Sequence, residues 1–140
     1  MYHCILVPID GSVHAERALN EAITLCQNSK TKIQLAILHV NPTIAMNEPP
    51  VGVDLEEYVQ EEDQEVVVEA KSRLLTTGID YTSTSKNGDP AKVICGQAQE
   101  MNADLIIMGS RGLGLMSEMF IGSVSHSVVQ HAHCPVMIVK

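Results

Sequence analysis

The chain has 140 residues, 45% hydrophobic and 19% charged, with a formal charge of −8 at pH 7. That length suits one domain over residues 1–140 with a core large enough to fold without staples. The acidic balance excludes a binder of nucleic-acid backbone, which needs a basic face, and no run approaches the roughly 20 apolar residues of a membrane span.

In chain order, the first apolar run is CILVPI, residues 4–9. It reads as a strand buried on both faces, as do IQLAILHV (33–40), DLIIMG (104–109) and PVMIVK (135–140). A fifth run, IDYTSTS (79–85), alternates polar and apolar residues and reads as an edge strand. Four helical segments lie between these strands. The first starts at a capping serine, Ser12, and runs to about 27, with Ala15, Ala18, Leu19, Ala22, Ile23 and Cys26 at helical spacing. The second covers about 54–77 and is closed by Gly78. The third opens on Asp89-Pro90, an N-cap followed by proline at the first helical position, and reaches about 101. The fourth starts near Ser123 and runs to about 132, stopped ahead of Pro135.

Strand and helix alternation predicts a three-layer α/β fold, an open sheet of five mostly parallel strands with four helices. Ligands of such sheets bind outside the carboxyl ends of the strands, at the switch point of strand order. Two long connections, 41–53 and 110–122, read as functional or mobile, and the first is expected to act as a lid.

The second helix is acidic: Asp54, Glu56, Glu57, Glu61, Glu62, Asp63, Glu65 and Glu69 stand with no Lys or Arg among them. This is a solvated face or a cation or partner surface. The cysteines at 4, 26, 95 and 134 form no C-x-x-C pair and mostly sit in apolar runs. A reducing compartment follows. With no signal-peptide pattern at the start, the expected location is the cytoplasm.

The stretch MGSRGLGLMSEMFIGSVS (108–125) concentrates Gly109, Gly112, Gly114 and Gly122 with Arg111, Ser123 and Ser125. It joins the end of a buried strand to the first turn of a helix. Such a turn offers unpaired N–H groups and about half a positive charge, and glycine lets backbone curl around an anion. The chemistry is phosphate binding, or else a flexible loop ending in an ordinary helix start. A P-loop is excluded because no Lys follows in the required register, and the dinucleotide fingerprint fails at Ser117. At the same sheet edge, Asp10 in LVPIDGS is placed to accept from ribose hydroxyls or hold a divalent cation such as Mg²⁺, or simply forms a turn.

Together, VPIDGS, LHVNP and the G-x2-G-x9-G-S pattern followed by PVMIVK resemble the universal stress protein family across about residues 3–140. The glycine spacing resembles its ATP-binding branch. The resemblance implies sheet order 3-2-1-4-5, an adenine-nucleotide site for ATP, ADP or AMP, a role as stress sensor or regulator, and a homodimer. By position, Pro8, Ile9 and Asp10 would border adenine and ribose, and Val40 would flank the base through its backbone. Met108, Gly109, Arg111 and Gly112 would line ribose and phosphates; Gly122, Ser123, Val124 and Ser125 would hold the phosphate chain.

No hydrolytic constellation emerges, so a binding protein with at most slow ATP turnover is expected rather than a catalyst. His126, in the first turn of the last helix, is either a γ-phosphate contact or an ordinary helix residue. His131, His133 and Cys134 read as a helix C-terminus favoured by its dipole, or as metal ligands. Two rival readings stand beside this one: a dimeric interaction protein with a vestigial pocket, and a phospho-receiver-like domain with Asp89 as acceptor. The apolar strand 135–140 ends the sheet in this order, and an open edge invites pairing; two copies are expected to join there.

Overall fold

The computed structural model describes residues 1–42, 55–112 and 121–140, the stretch 55–63 as backbone only. The elements run β1 (Cys4–Ile9), α1 (Val13–Asn28), β2 (Gln34–Asn41), α2 (Leu55–Leu74), β3 (Tyr81–Asn87), α3 (Pro90–Glu100), β4 (Leu105–Gly109), α4 (Ser123–His131) and β5 (Val136–Val139). The five strands form one parallel sheet in the order β3-β2-β1-β4-β5. Ile5 of β1 sits between Leu35 of β2 and Leu105 of β4. The order turns back at β1, so the ends of β1 and β4 frame the switch point. It also differs from the 2-1-3-4-5 order of receiver-type sheets. With Asp89 engaged as the α3 cap, its carboxylate accepting the Lys92 N–H at 3.0 Å, the receiver reading is set aside.

Helices cover both faces, which is why the central strands are apolar without alternation. On one face Ile5, Val7 and Ile9 of β1 pack with Leu35, Ile37, Leu105 and Ile107 beneath α1 and α2. On the other, Cys4 and Leu6 join Ala36, Leu38, Ile106 and Met108 beneath α3 and α4. Small residues bring the layers close: Ala15, Ala18 and Ala22 are buried with Leu19 on α1, and Ala91 and Ala98 with Ile94 on α3. Arg73 of α2 bridges to Glu16 of α1 at 2.5 Å and pins these helices together at the surface.

Boundaries follow local chemistry. Ser12 caps α1, its Oγ accepting the Ala15 N–H at 3.1 Å. Gly11, at φ +83, makes the turn before it in a conformation that favours glycine. The third strand begins two residues later than the sequence pattern predicts. Past the end of α2, Thr77 donates its hydroxyl to the Leu74 carbonyl while accepting the Ile79 N–H, and Gly78 takes φ +72. That turn consumes residues 75–80, so pairing starts at Tyr81 opposite Leu35. As expected, β3 is an edge, and so is β5. No described helix is long and apolar enough to cross a membrane. The predicted lid at 41–53, beyond residue 42, and the middle of the glycine loop with Gly114 lie outside the described residues.

Candidate functional site

The carboxyl edge of the sheet opens into a cleft of about 740 Å³, within the range of small-molecule sites. It draws on the ends of β1, β2 and β4 and the start of α4. Every residue singled out above as a nucleotide contact lines it: Pro8, Ile9, Asp10, Val40, Met108, Gly109, Arg111, Gly112, Gly122, Ser123, Val124 and Ser125. Leu38, Val40, Ile94 and Met108 give it an apolar stretch, while Asp10, Arg111 and the first turn of α4 give it a polar one. Glu65 and Glu69 of α2 also line the cleft and add negative charge.

The first turn of α4 is distinctive. Both α1 and α3 begin with a side chain that accepts a first-turn N–H. The α4 N-cap is Gly122, which has no side chain to give, and its own N–H is spent on the Ser110 carbonyl at 2.6 Å. Intrahelical bonding begins at His126, whose N–H reaches the Gly122 carbonyl at 2.9 Å. The amides of Ser123, Val124 and Ser125 are therefore first-turn donors with no carbonyl one turn behind them, carried on the positive end of the helix dipole. Ser125 itself is buried and donates its hydroxyl to the Gly109 carbonyl at 2.8 Å. Its side chain thereby braces the turn against the end of β4.

Gly109, Gly112 and Gly122 make close approaches within the protein. A Cβ on Gly109 would stand 2.7 Å from the backbone carbon and Cβ of His14, so α1 lies directly on the end of β4. A Cβ on Gly112 would stand 2.8 Å from Asp10 Oδ2, and one on Gly122 would stand 3.3 Å from the Ser110 carbonyl oxygen. These contacts bring Asp10, the loop and α4 around one space. Asp10 Oδ1 accepts the Ser12 N–H at 2.9 Å, fixing the carboxylate in a turn while Oδ2 faces Gly112. Among the described residues no three His, Cys, Asp or Glu side chains gather as a metal cage. Mg²⁺ takes one or two protein carboxylates and completes its shell with phosphate and water, so Asp10 alone would be enough for an ion carried in with a phosphorylated ligand.

Sequence reasoning missed three residues here. His14 and Ser110 brace the loop, with the imidazole 3.3 Å from Ser110 Oγ and 3.0 Å from Arg111 Nη2. His39 is buried in the wall of the cleft, and its Nδ1 donates to the Ile9 carbonyl at 2.9 Å. A histidine at the end of a central strand was the signal for His39. The pairing of His14 with Arg111 spans almost a hundred residues and had no local signal. Elsewhere, His126 is exposed, and His131 turns back onto the Ser127 carbonyl at 2.8 Å as a residue closing its helix. Burial pushes the thiols of Cys4, Cys26, Cys95 and Cys134 up, the opposite of a reactive cysteine.

The universal stress protein family model matches residues 1–140 in full. The chain belongs to the universal stress protein family. A relative named universal stress protein YxiE, from Bacillus subtilis, is 33% identical over 150 aligned positions that cover all of both chains. Among solved structures, a universal stress protein from Arabidopsis thaliana with AMP bound superposes with a TM-score of 0.74. It is 25% identical, over 99% of this chain and 91% of that one. A universal stress protein in complex with cAMP gives a TM-score of 0.73 at 25% identity, over 99% of this chain and 97% of that one. For this universal stress protein, the common frame is the parallel sheet whose carboxyl edge carries the cleft.

Proposed function

We propose that this universal stress protein binds an adenine nucleotide, ATP foremost, along the carboxyl edge of its sheet, and that the bound nucleotide sets its state as a stress sensor or regulator. The observation that carries this reading is the uncapped start of α4 opening on a large cleft at the switch point. Three first-turn amides, a helix dipole and Arg111 form an anion cradle. Across from them Asp10 offers a carboxylate for ribose hydroxyls, and for Mg²⁺ carried in with the phosphates. The apolar stretch of Val40, Leu38, Ile94 and Met108 would take the purine, packed on aliphatic side chains because the chain has no Trp and one Phe. AMP and cAMP in the related structures support adenine as the base. These parts hold and orient a ligand, so the proposed role is binding rather than catalysis.

The test is mass spectrometry of small molecules released when the purified protein is denatured, followed by calorimetric titration with ATP, ADP, AMP and adenosine. Release of an adenine nucleotide, with phosphorylated ligands binding more tightly than adenosine, is the expected result. A protein that releases no nucleotide and binds none of the four at millimolar concentration has a vestigial pocket, and the reading falls.

A further inference from the structure

Building on that nucleotide site, we propose that His14 is a positioning residue for the phosphate chain: its imidazole holds the Arg111 guanidinium in place and ties the glycine loop to α1. His14 is the second residue of α1, and α1 begins at the same sheet edge at which β4 ends. The ring is held from both sides, with Nε2 3.0 Å from Arg111 Nη2 and Nδ1 3.3 Å from Ser110 Oγ. A guanidinium only donates, so Nε2 accepts. The ring proton then sits on Nδ1 and points to the serine oxygen. Both bonds require the neutral imidazole in this one tautomer.

The backbone of the same residue closes the third contact, because Gly109 lies against the His14 main chain with no room for a Cβ. Three consecutive loop residues are thus referred to one histidine: 109 by van der Waals contact, 110 by a hydrogen bond and 111 by a charge-assisted one. Ser110 passes the constraint on. Its N–H donates to the Val139 carbonyl at 2.8 Å, and its carbonyl accepts the N–H of Gly122, the cap of α4. His14 therefore links Arg111, on one flank of the cradle, to the uncapped helix start on the other.

The energetic consequence concerns preorganisation. An arginine side chain gives up much rotamer freedom when it docks on a phosphate, and a side chain already ordered by an acceptor loses less. The guanidinium carries five donors in a planar fork. A fork of this shape can bond an imidazole on one edge and phosphate oxygens on another. His14 has no part in holding the base, so its contribution is confined to ligands with phosphate.

The experiment uses the full chain and measures affinity for ATP and adenosine in the wild type, in His14→Leu, in His14→Gln, in Arg111→Met and in the double variant His14→Leu/Arg111→Met. His14→Leu is expected to weaken ATP about tenfold, the scale of a hydrogen bond to a charged group, and to leave adenosine within about twofold. His14→Gln, whose amide oxygen reaches the Nε2 position, is expected to recover most of the loss. In the Arg111→Met background, His14→Leu is expected to change ATP affinity less than about twofold, because the coupled partner is already gone. Should His14→Leu fail to fold, His14→Asn replaces it: its amide reaches the Nδ1 position and Ser110 but not Arg111, and it is expected to lose ATP while His14→Gln does not. Equal losses for ATP and adenosine, additive losses in the double variant, or unchanged ATP affinity would each overturn the assignment. A wild type that binds neither ligand would bring down the nucleotide site itself, whereas a failure confined to the variants removes only His14.

Discussion

At the scale of single residues, Gly109, Gly112 and Gly122 each lie against the protein's own atoms. Gly109 sits where α1 crosses the end of β4, and the nearest atoms to an added Cβ are the His14 carbonyl carbon and Cβ and the Ala15 nitrogen, at 2.7 to 2.8 Å. Backbone in the first turn of a helix packed on the sheet has no direction in which to yield. Gly109→Ala is therefore expected to cost about 1–3 kcal/mol, the range of an overpacked core, read as a lower urea midpoint. Gly96 makes the opposite case within the same molecule. It lies inside α3, is exposed, and an added Cβ meets nothing within 4 Å. Gly96→Ala is expected to raise stability by about 0.5–1 kcal/mol, since alanine loses less backbone entropy in a helix. If both alanines shift the midpoint in the same direction, the packing argument at Gly109 fails.

At the scale of elements, capping separates α4 from α1 and α3. Ser12 and Asp89 close α1 and α3 with their own oxygens, while Gly122 leaves α4 open onto the cleft. This predicts a substitution with opposite effects on folding and binding. Ser123→Asp puts a carboxylate in the exposed first position of α4, where the dipole favours it by about 0.3–1 kcal/mol. The same charge repels an incoming phosphate. The variant is expected to melt no lower than the wild type and to bind ATP at least about tenfold more weakly, as measured by thermal denaturation and calorimetry side by side. Element identity was readable beforehand because it rests on local chemistry: doubly buried strands have no polar alternation, and Ser12, Gly78 and Asp89-Pro90 announce their turns within a few residues. The start of β3 was misplaced because the turn after α2 is built from Thr77 side-chain bonds rather than from a recognisable turn dipeptide. Asp10 and the glycine-serine stretch were readable as cleft residues through the topology of parallel sheets, which sends the ends of β1 and β4 to one edge. Pro8, Ile9, Val40, Met108 and Val124 came only from the family resemblance. His14 was not readable, because its partner Arg111 is brought to it only by the packing of α1 on β4.

At the scale of the whole molecule, the two ends of the sheet are built differently. On β3 the exposed residues are Thr82, Ser83, Ser85 and Asn87, a polar edge of the kind that discourages a further strand. On β5 all four residues, Val136 to Val139, are apolar and half-buried, and their side chains belong to the two cores: Met137 and Val139 under α1, Val136 and Ile138 on the α3–α4 side. The Pro135 and Val139 carbonyls accept from Ile106 and Ser110 of the β4 side. By the two-residue period, the main-chain groups of Val136 and Ile138 point away from the sheet. An apolar strand with outward N–H and C=O groups is a template for another strand, and a second copy of this chain is the partner we propose. The net charge of −8 opposes indiscriminate association, so pairing has to be won by main-chain bonds at this one edge. Ile138→Pro removes an outward N–H while leaving the ladder to β4 bonded, a change that edge strands tolerate. Val136→Pro does the same at the first position of the strand, where proline is tolerated. Both variants are expected to sediment at half the mass of the wild type with an unchanged far-ultraviolet spectrum. Ser110 and Arg17 hold the end of β5 through the Val139 and Lys140 carbonyls, and the Ser110 carbonyl also accepts the Gly122 N–H at the start of α4. Saturating ATP is therefore expected to tighten the dimer of the wild type, measured as a lower dissociation constant in sedimentation equilibrium. A wild type of monomer mass, or variants that keep the wild-type mass, would show that this edge is left open in solution.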